Sequence, residues 1–351
     1  MNFDRMEKIA EAVLYEGYML YPYRPSSVKN QQRWNFGVLC PRAYCELQQG
    51  SERWMMQTEC LIKTTASTRF VAKIRFLQIV RRSVGKLRTP GREEHEGVEP
   101  EFDFVDRLEV GGRVYQSWDE AVEREHTSSL MDPATLSLLS PLYLTFPAGR
   151  RFEYLHDEQG QAVGVLVREC AALMGSVQFD STLCRNGVVK VTVRVHNLTS
   201  FDSREKIVRE DALNFSLVSA HTILGVERGE FLSLLDPPMG FEDLAGECSN
   251  IGTWPVLTGD QAETMLSSPI ILYDHPQIAP ESVGNLFDST EIDEILSLRI
   301  LTLTDDEKRE IRQSDDRARE ILERTENMPE EQFMKLHGVL RGLTPLKEEA
   351  R

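Results

Sequence analysis

The alternation of apolar and polar positions is clearest in Phe70-Val-Ala-Lys-Ile-Arg-Phe, where Phe70, Ala72, Ile74 and Phe76 fall on one side of an extended chain and Lys73 and Arg75 on the other. The same two-residue period runs through Val189, Val191, Val193 and Val195, interleaved with Lys190, Thr192, Arg194 and His196, and predicts one strand face in a core and one in water. Runs rich in aromatic and branched residues at 36–47, 54–63 and 68–80 predict an antiparallel sheet with one basic face. A second strand-rich region spans about 142–197, and shorter strands are expected at 230–235, 254–257 and 270–273.

Helical spacing appears in three places. Residues 5–16 carry Ile9, Ala12 and Val13 on one side before Gly17 and Pro22 interrupt. Residues 210–224 place Leu213, Leu217, Val218, His221 and Leu224 at intervals of three and four, which predicts a helix with His221 on its apolar face. Beyond Pro280 the chain turns acidic, with a capping-box signature at Thr304-Asp-Asp-Glu, an apolar stripe of Ile311, Ile321 and Leu322, and a further amphipathic run after Pro329. Between 88 and 100 Gly, Pro and charge predict a surface loop. The expected fold class is therefore α+β: a strand-rich, mostly antiparallel body with an acidic helical C-terminal region. Three parts are expected: 1–135, an N-terminal helix plus a basic strand-rich region; 136–280, a second strand-rich region with one helix; and 281–351, an acidic helical tail.

A chain of 351 residues, 41% hydrophobic and 27% charged, is long enough to bury a sizeable core. Its net charge of −16 is uneven: residues 1–90 hold 15 Lys and Arg against 7 Asp and Glu, and residues 91–351 hold 25 against 49. A basic end and an acidic body either orient docking on a partner or attract one another within the fold, and both readings stand at this stage. The acidic total argues against generic nucleic-acid binding. Six scattered cysteines and an N-terminus bearing acids, without an apolar export core, predict reduced thiols in the cytoplasm. No apolar run approaches the roughly 20 residues of a membrane span, so direct membrane insertion is not expected.

The segment most suited to recognition is 15–41, where Tyr15, Tyr18, Tyr21, Tyr23, Trp34 and Phe36 crowd around Arg24, Lys29 and Arg33. Aromatic anchors with cations beside them form a contact set, here Tyr21, Tyr23, Arg24, Lys29, Arg33 and Trp34, and the alternative is that its aromatics are core. Catalytic signals are sparse. Ser26-Ser-Val-Lys29 matches Ser-x-x-Lys without the companion elements of that chemistry. Cys40 and Cys45, with Cys60 beyond, offer thiolates at a spacing that fits no strong metal motif. A looser metal set is His221, Asp236, Cys248 and His275, with His221 and Glu230 as the catalytic candidates of a metal-dependent enzyme of unknown reaction. Dinucleotide, Walker, zinc-protease and nucleophile-elbow signatures are missing, so no cofactor is expected.

Two stretches, YPYRPSSVKNQQRWNFGVL within 10–42 and IAPESVGNLFDSTEIDEILSLRILTLT at 278–304, together with HTILGVERGEFLSLLDPP and CSNIGTWPVL between them, resemble an uncharacterised bacterial protein family encoded beside high-affinity nickel–iron hydrogenase genes. The resemblance implies an accessory or assembly role for that hydrogenase, with hydrogenase subunits or maturation factors as partners. No catalytic residue transfers with it. The expected function is a non-catalytic protein that binds a protein partner. A metal-dependent enzyme and a structural subunit that contacts copies of itself remain as alternatives.

Overall fold

The computed structural model describes residues 36–90, 99–201, 208–259, 261–276 and 303–312, together with residues 10, 319, 322–323 and 325–327. The chain divides into two units, Met1–Pro276 and Gln277–Arg351.

The first unit is built of strands. After the short helix α1 (Arg42–Leu47) come β1 (Met55–Lys63), β2 (Arg69–Leu87), β3 (Phe102–Val105), β4 (Arg107–Val110), β5 (Arg113–Gln116) and β6 (Trp118–Thr127). A 3-10 turn at Pro133–Leu138 leads to β7 (Leu142–Phe146), β8 (Gly149–His156), β9 (Ala162–Cys170), β10 (Leu173–Leu183) and β11 (Val188–Asn197). Then follow α2 (Arg209–Leu213), β12 (Val218–Glu227), β13 (Glu230–Leu232), α3 (Glu242–Gly246), β14 (Trp254–Thr258) and β15 (Thr264–Ser268). One sheet runs β13-β1-β11-β10-β7; a larger one runs β14-β15-β12-β2-β9-β8, with β3 and β6 also paired to β2. The ladders between these strands are antiparallel. Each large sheet takes strands from both sides of residue 135.

Phe70, Ala72, Ile74 and Phe76 point inward as the alternation predicts, and with Leu224 and Val226 of β12 they meet Met56, Cys60, Ile62 and the four valines of β11 across the sandwich. The 19-residue β2 continues past this core to pair with β9 and β3. Gly85 permits it, because a Cβ there would lie 2.3 Å from the Phe102 ring.

Several expectations are corrected. The architecture is strand-dominated rather than α+β: among the described residues the α-helices of the first unit are five or six residues long. Among the described residues of the expected acidic C-terminal region, the structure shows one eight-residue helix, α4 (Asp305–Arg312), with Lys308 and Arg312 on Glu326. The helix expected over 210–224 is instead α2, a turn and β12. A register shift between Val218 and His221, with Ser219 at φ 54°, inserts residues into the two-residue period, so that Val218, His221 and Leu224 mimic helical spacing. The strand expected over 36–47 gives way to α1 after Pro41. The strand expected at 270–273 is replaced by β15, which forms a hairpin with β14. The predicted basic face is also altered: Arg75 is buried, and both it and Lys73 pair with glutamates of β6, Glu123 and Glu125. The outer side of β11 is only partly wet, since Thr192 and His196 are buried.

Candidate recognition surface

The outer face of the five-stranded sheet ends in an apolar, aromatic corner. Register aligns Tyr143 of β7, Ser176 of β10, His196 of β11 and Met55 of β1 in one row. Directly opposed residues of antiparallel strands share a face, so Thr145 and Met174 form the next row on the same side. Leu198 extends this face two residues beyond His196, held by its amide on the Met174 carbonyl at 2.8 Å. Tyr143 is 66% exposed and Met174 47%, and Leu198 is exposed as well.

Trp54 closes the corner. Its ring lies 5.2 Å from that of His196 at an interplanar angle of 32°, and the Arg42 guanidinium sits 4.9 Å above it. Burial, followed by the charge of Arg194, pushes the His196 pKa down, and the buried ring backs the corner from beneath. The Ser176 hydroxyl is 3.5 Å from His196 Nδ1. The adjoining row is polar and fixed, with Arg194 Nε donating to Gln57 Oε1 at 2.7 Å and Gln57 Nε2 to the Ser249 carbonyl at 2.8 Å. Aromatic and thioether side chains beside an arginine, rimmed by ordered polar groups, have the composition of a protein-binding surface.

The contact set Tyr21, Tyr23, Arg24, Lys29, Arg33 and Trp34, like Ser26, lies outside the described residues. The alternative catalytic and metal set falls on separate elements. His221 is fully buried in β12, and its Nδ1 donates to the Ser219 carbonyl at 2.9 Å. That leaves Nε2 as a lone pair without a hydrogen-bond partner, on the same face as the cross-strand neighbour Arg75. Burial pushes this imidazole down to about 4, and Arg75 adds to the effect. Glu230 is exposed on β13 and pairs with Lys63 at 3.1 Å. Cys248 packs below α3 with Cys184, Leu232 and Ala245, its thiol toward the Leu244 carbonyl. The Asp236 amide donates to the Ser233 hydroxyl, which donates to Asp274, and exposed His275 holds the Gly259 carbonyl through Nδ1 at 2.7 Å.

Cys40, just before α1, and Cys45, within it, are buried, and burial pushes their thiols up to about 12 and about 11; Cys60 lies in the core between the sheets. Among the described residues no three His, Cys, Asp or Glu gather in a geometry that could hold a metal ion. Nor, among them, is any helix long and apolar enough to cross a membrane.

Sequence reasoning did not single out Tyr143, Met174, Leu198, Trp54 or His196. A signal was nevertheless present: residues 127–149 contain a single charged side chain, Asp132, in a chain that is 27% charged. Comparison of the sequence with protein-family models and with curated proteins gives no match.

Proposed function

We propose that this chain is a non-catalytic accessory protein that binds a protein partner, using the outer corner of the five-stranded sheet. The observation that carries the reading is the exposure of Tyr143 and Met174 on a sheet face already organised by the Arg42–Trp54–His196 stack. Exposed apolar side chains on a rigid sheet give contact area at low conformational cost. The six free cysteines agree with action in the cytoplasm. The resemblance to a family encoded beside nickel–iron hydrogenase genes makes hydrogenase subunits or maturation factors the partners to test. The enzyme reading receives less support, because His221, Glu230, Asp236, Cys248 and His275 sit in the separate settings described above.

The test is affinity capture of the tagged chain from its native cells, compared with a Met174→Glu, Leu198→Glu double variant. Hydrogenase subunits or maturation factors recovered with the native chain and lost with the variant would support the proposal. Capture that the variant leaves unchanged would remove this face from consideration. Stoichiometric metal in protein purified without chelator would instead favour the enzyme.

A further inference from the structure

The five-stranded sheet ends at β7, which among the described residues pairs with β10 alone. Its sequence, Leu142-Tyr-Leu-Thr-Phe146, has no charge and no proline. Sheet edges are ordinarily guarded against strand addition by charge, proline, shortness or cover. Among the described strands, four other edges are guarded in these ways. β8 carries Arg150, Arg151 and Glu153, β14 carries Pro255, and β6 carries Asp119, Glu120, Glu123, Arg124 and Glu125. β13 is three residues long and is covered through the Phe231 amide on Ala262. β7 alone among these is bare, and the segment before it exposes Leu130, Leu138 and Leu139, with Leu138 at 83%.

We propose that β7 is a homodimer interface, at which a second copy adds its own β7 antiparallel across a two-fold axis near Leu144. Two arguments select a second copy as the occupant. The strand is self-complementary: antiparallel pairing centred on Leu144 sets Leu142 of one copy against Phe146 of the other, Tyr143 against Thr145, and Leu144 against itself, with no like charges opposed. The protein also carries a net charge of −16, and residues 127–149, with their single charge, are a stretch where two copies can meet without opposing like charges. Pairing of this kind makes one ten-stranded sheet and sets the two Tyr143–Met174 corners side by side, giving a partner a doubled, two-fold surface. The dimer does not depend on which partner that surface recognises.

The experiment is the mass of the full-length chain in solution at micromolar concentration, by light scattering or sedimentation. Native protein is expected at twice the 40.1 kDa of the chain. The double variant Tyr143→Lys, Thr145→Lys opposes lysines across the axis in both symmetric pairs and is expected to be monomeric. The variant Tyr143→Lys, Thr145→Glu opposes lysine to glutamate in the same register and is expected to restore the dimer, which also shows that two substitutions on this strand do not prevent folding. A monomeric native chain overturns the proposal, as does a dimer untouched by the two lysines. Failure of the charge-paired variant to restore the dimer overturns the antiparallel register.

Discussion

His221 gives the most direct test of the structure, because its ring is sealed in β12 and cannot accept a proton without losing stability. The pKa moves from 6.5 in an unfolded chain to about 4 in the fold, driven first by burial and then by Arg75, while the Ser219 carbonyl and Glu123 oppose the shift. A depressed folded value means that the unfolded chain binds the proton more readily. The stabilisation is therefore complete above about pH 6.5 and is lost as pH falls towards the folded value. Between pH 7 and pH 5 the linkage costs about 2 kcal/mol of folding free energy. The perturbation is His221→Gln, which does not titrate and retains an amide donor for Ser219. Urea unfolding of both proteins across that pH range should show the native chain losing roughly 0.5–1 M more of its midpoint than the variant. Carboxylates and His196 contribute equally to both curves, so the difference isolates His221. Parallel curves would refute the reasoning and mean that His221 is solvated or paired in solution.

Other consequences concern packing and charge. Glu120 accepts from Arg82 at 3.1 Å and from Arg168 at 2.7 Å, and Arg82 is buried, so Glu120→Ala should cost about 2–3 kcal/mol, read from chemical denaturation. Gly37 stands at φ 56° with Pro269 Cγ 2.5 Å from where a Cβ would be, so Gly37→Ala should destabilise by about 1–3 kcal/mol and lower Tm in a thermal melt. Thiol titration of the folded protein should label half-exposed Cys170 and Cys184 well before Cys40, Cys45 and Cys60, which should react only on unfolding.

The strand cores were legible because their signal is local. Phe70 to Phe76 and Val189 to Val195 each have one face on the core, and a two-residue period reports that directly. β12 was not legible as a strand, since the irregularity at Ser219 shifts the period where the apolar side chains are densest. The corner proposed for recognition is a product of register: Tyr143, Ser176, His196 and Met55 lie far apart in sequence and share a row only through three ladders. No spacing rule reaches across such pairings. Its only local trace is the missing charge at 127–149, which is visible as composition and silent about which side chains emerge.

The charge asymmetry of the sequence left docking and internal pairing as equal readings, and the described residues favour the second. Lys63, Lys73, Arg75, Arg81, Arg82 and Arg88, all from the basic first 90 residues, pair with Glu230, Glu125, Glu123, Asp119 and Asp211, Glu120 and Asp103 from the acidic remainder. Cations engaged in this way within the fold are poorly placed to steer an acidic partner. The surface left for recognition on the five-stranded sheet is apolar, and apolar association responds weakly to ionic strength, whereas exposed charge pairs are screened within about 8 Å at physiological salt. Partner capture through the Tyr143–Met174 corner should therefore survive a wash raised from low to near-molar sodium chloride with little loss. Release of the partner as salt rises would place the contact on charged groups instead and count against this sheet face.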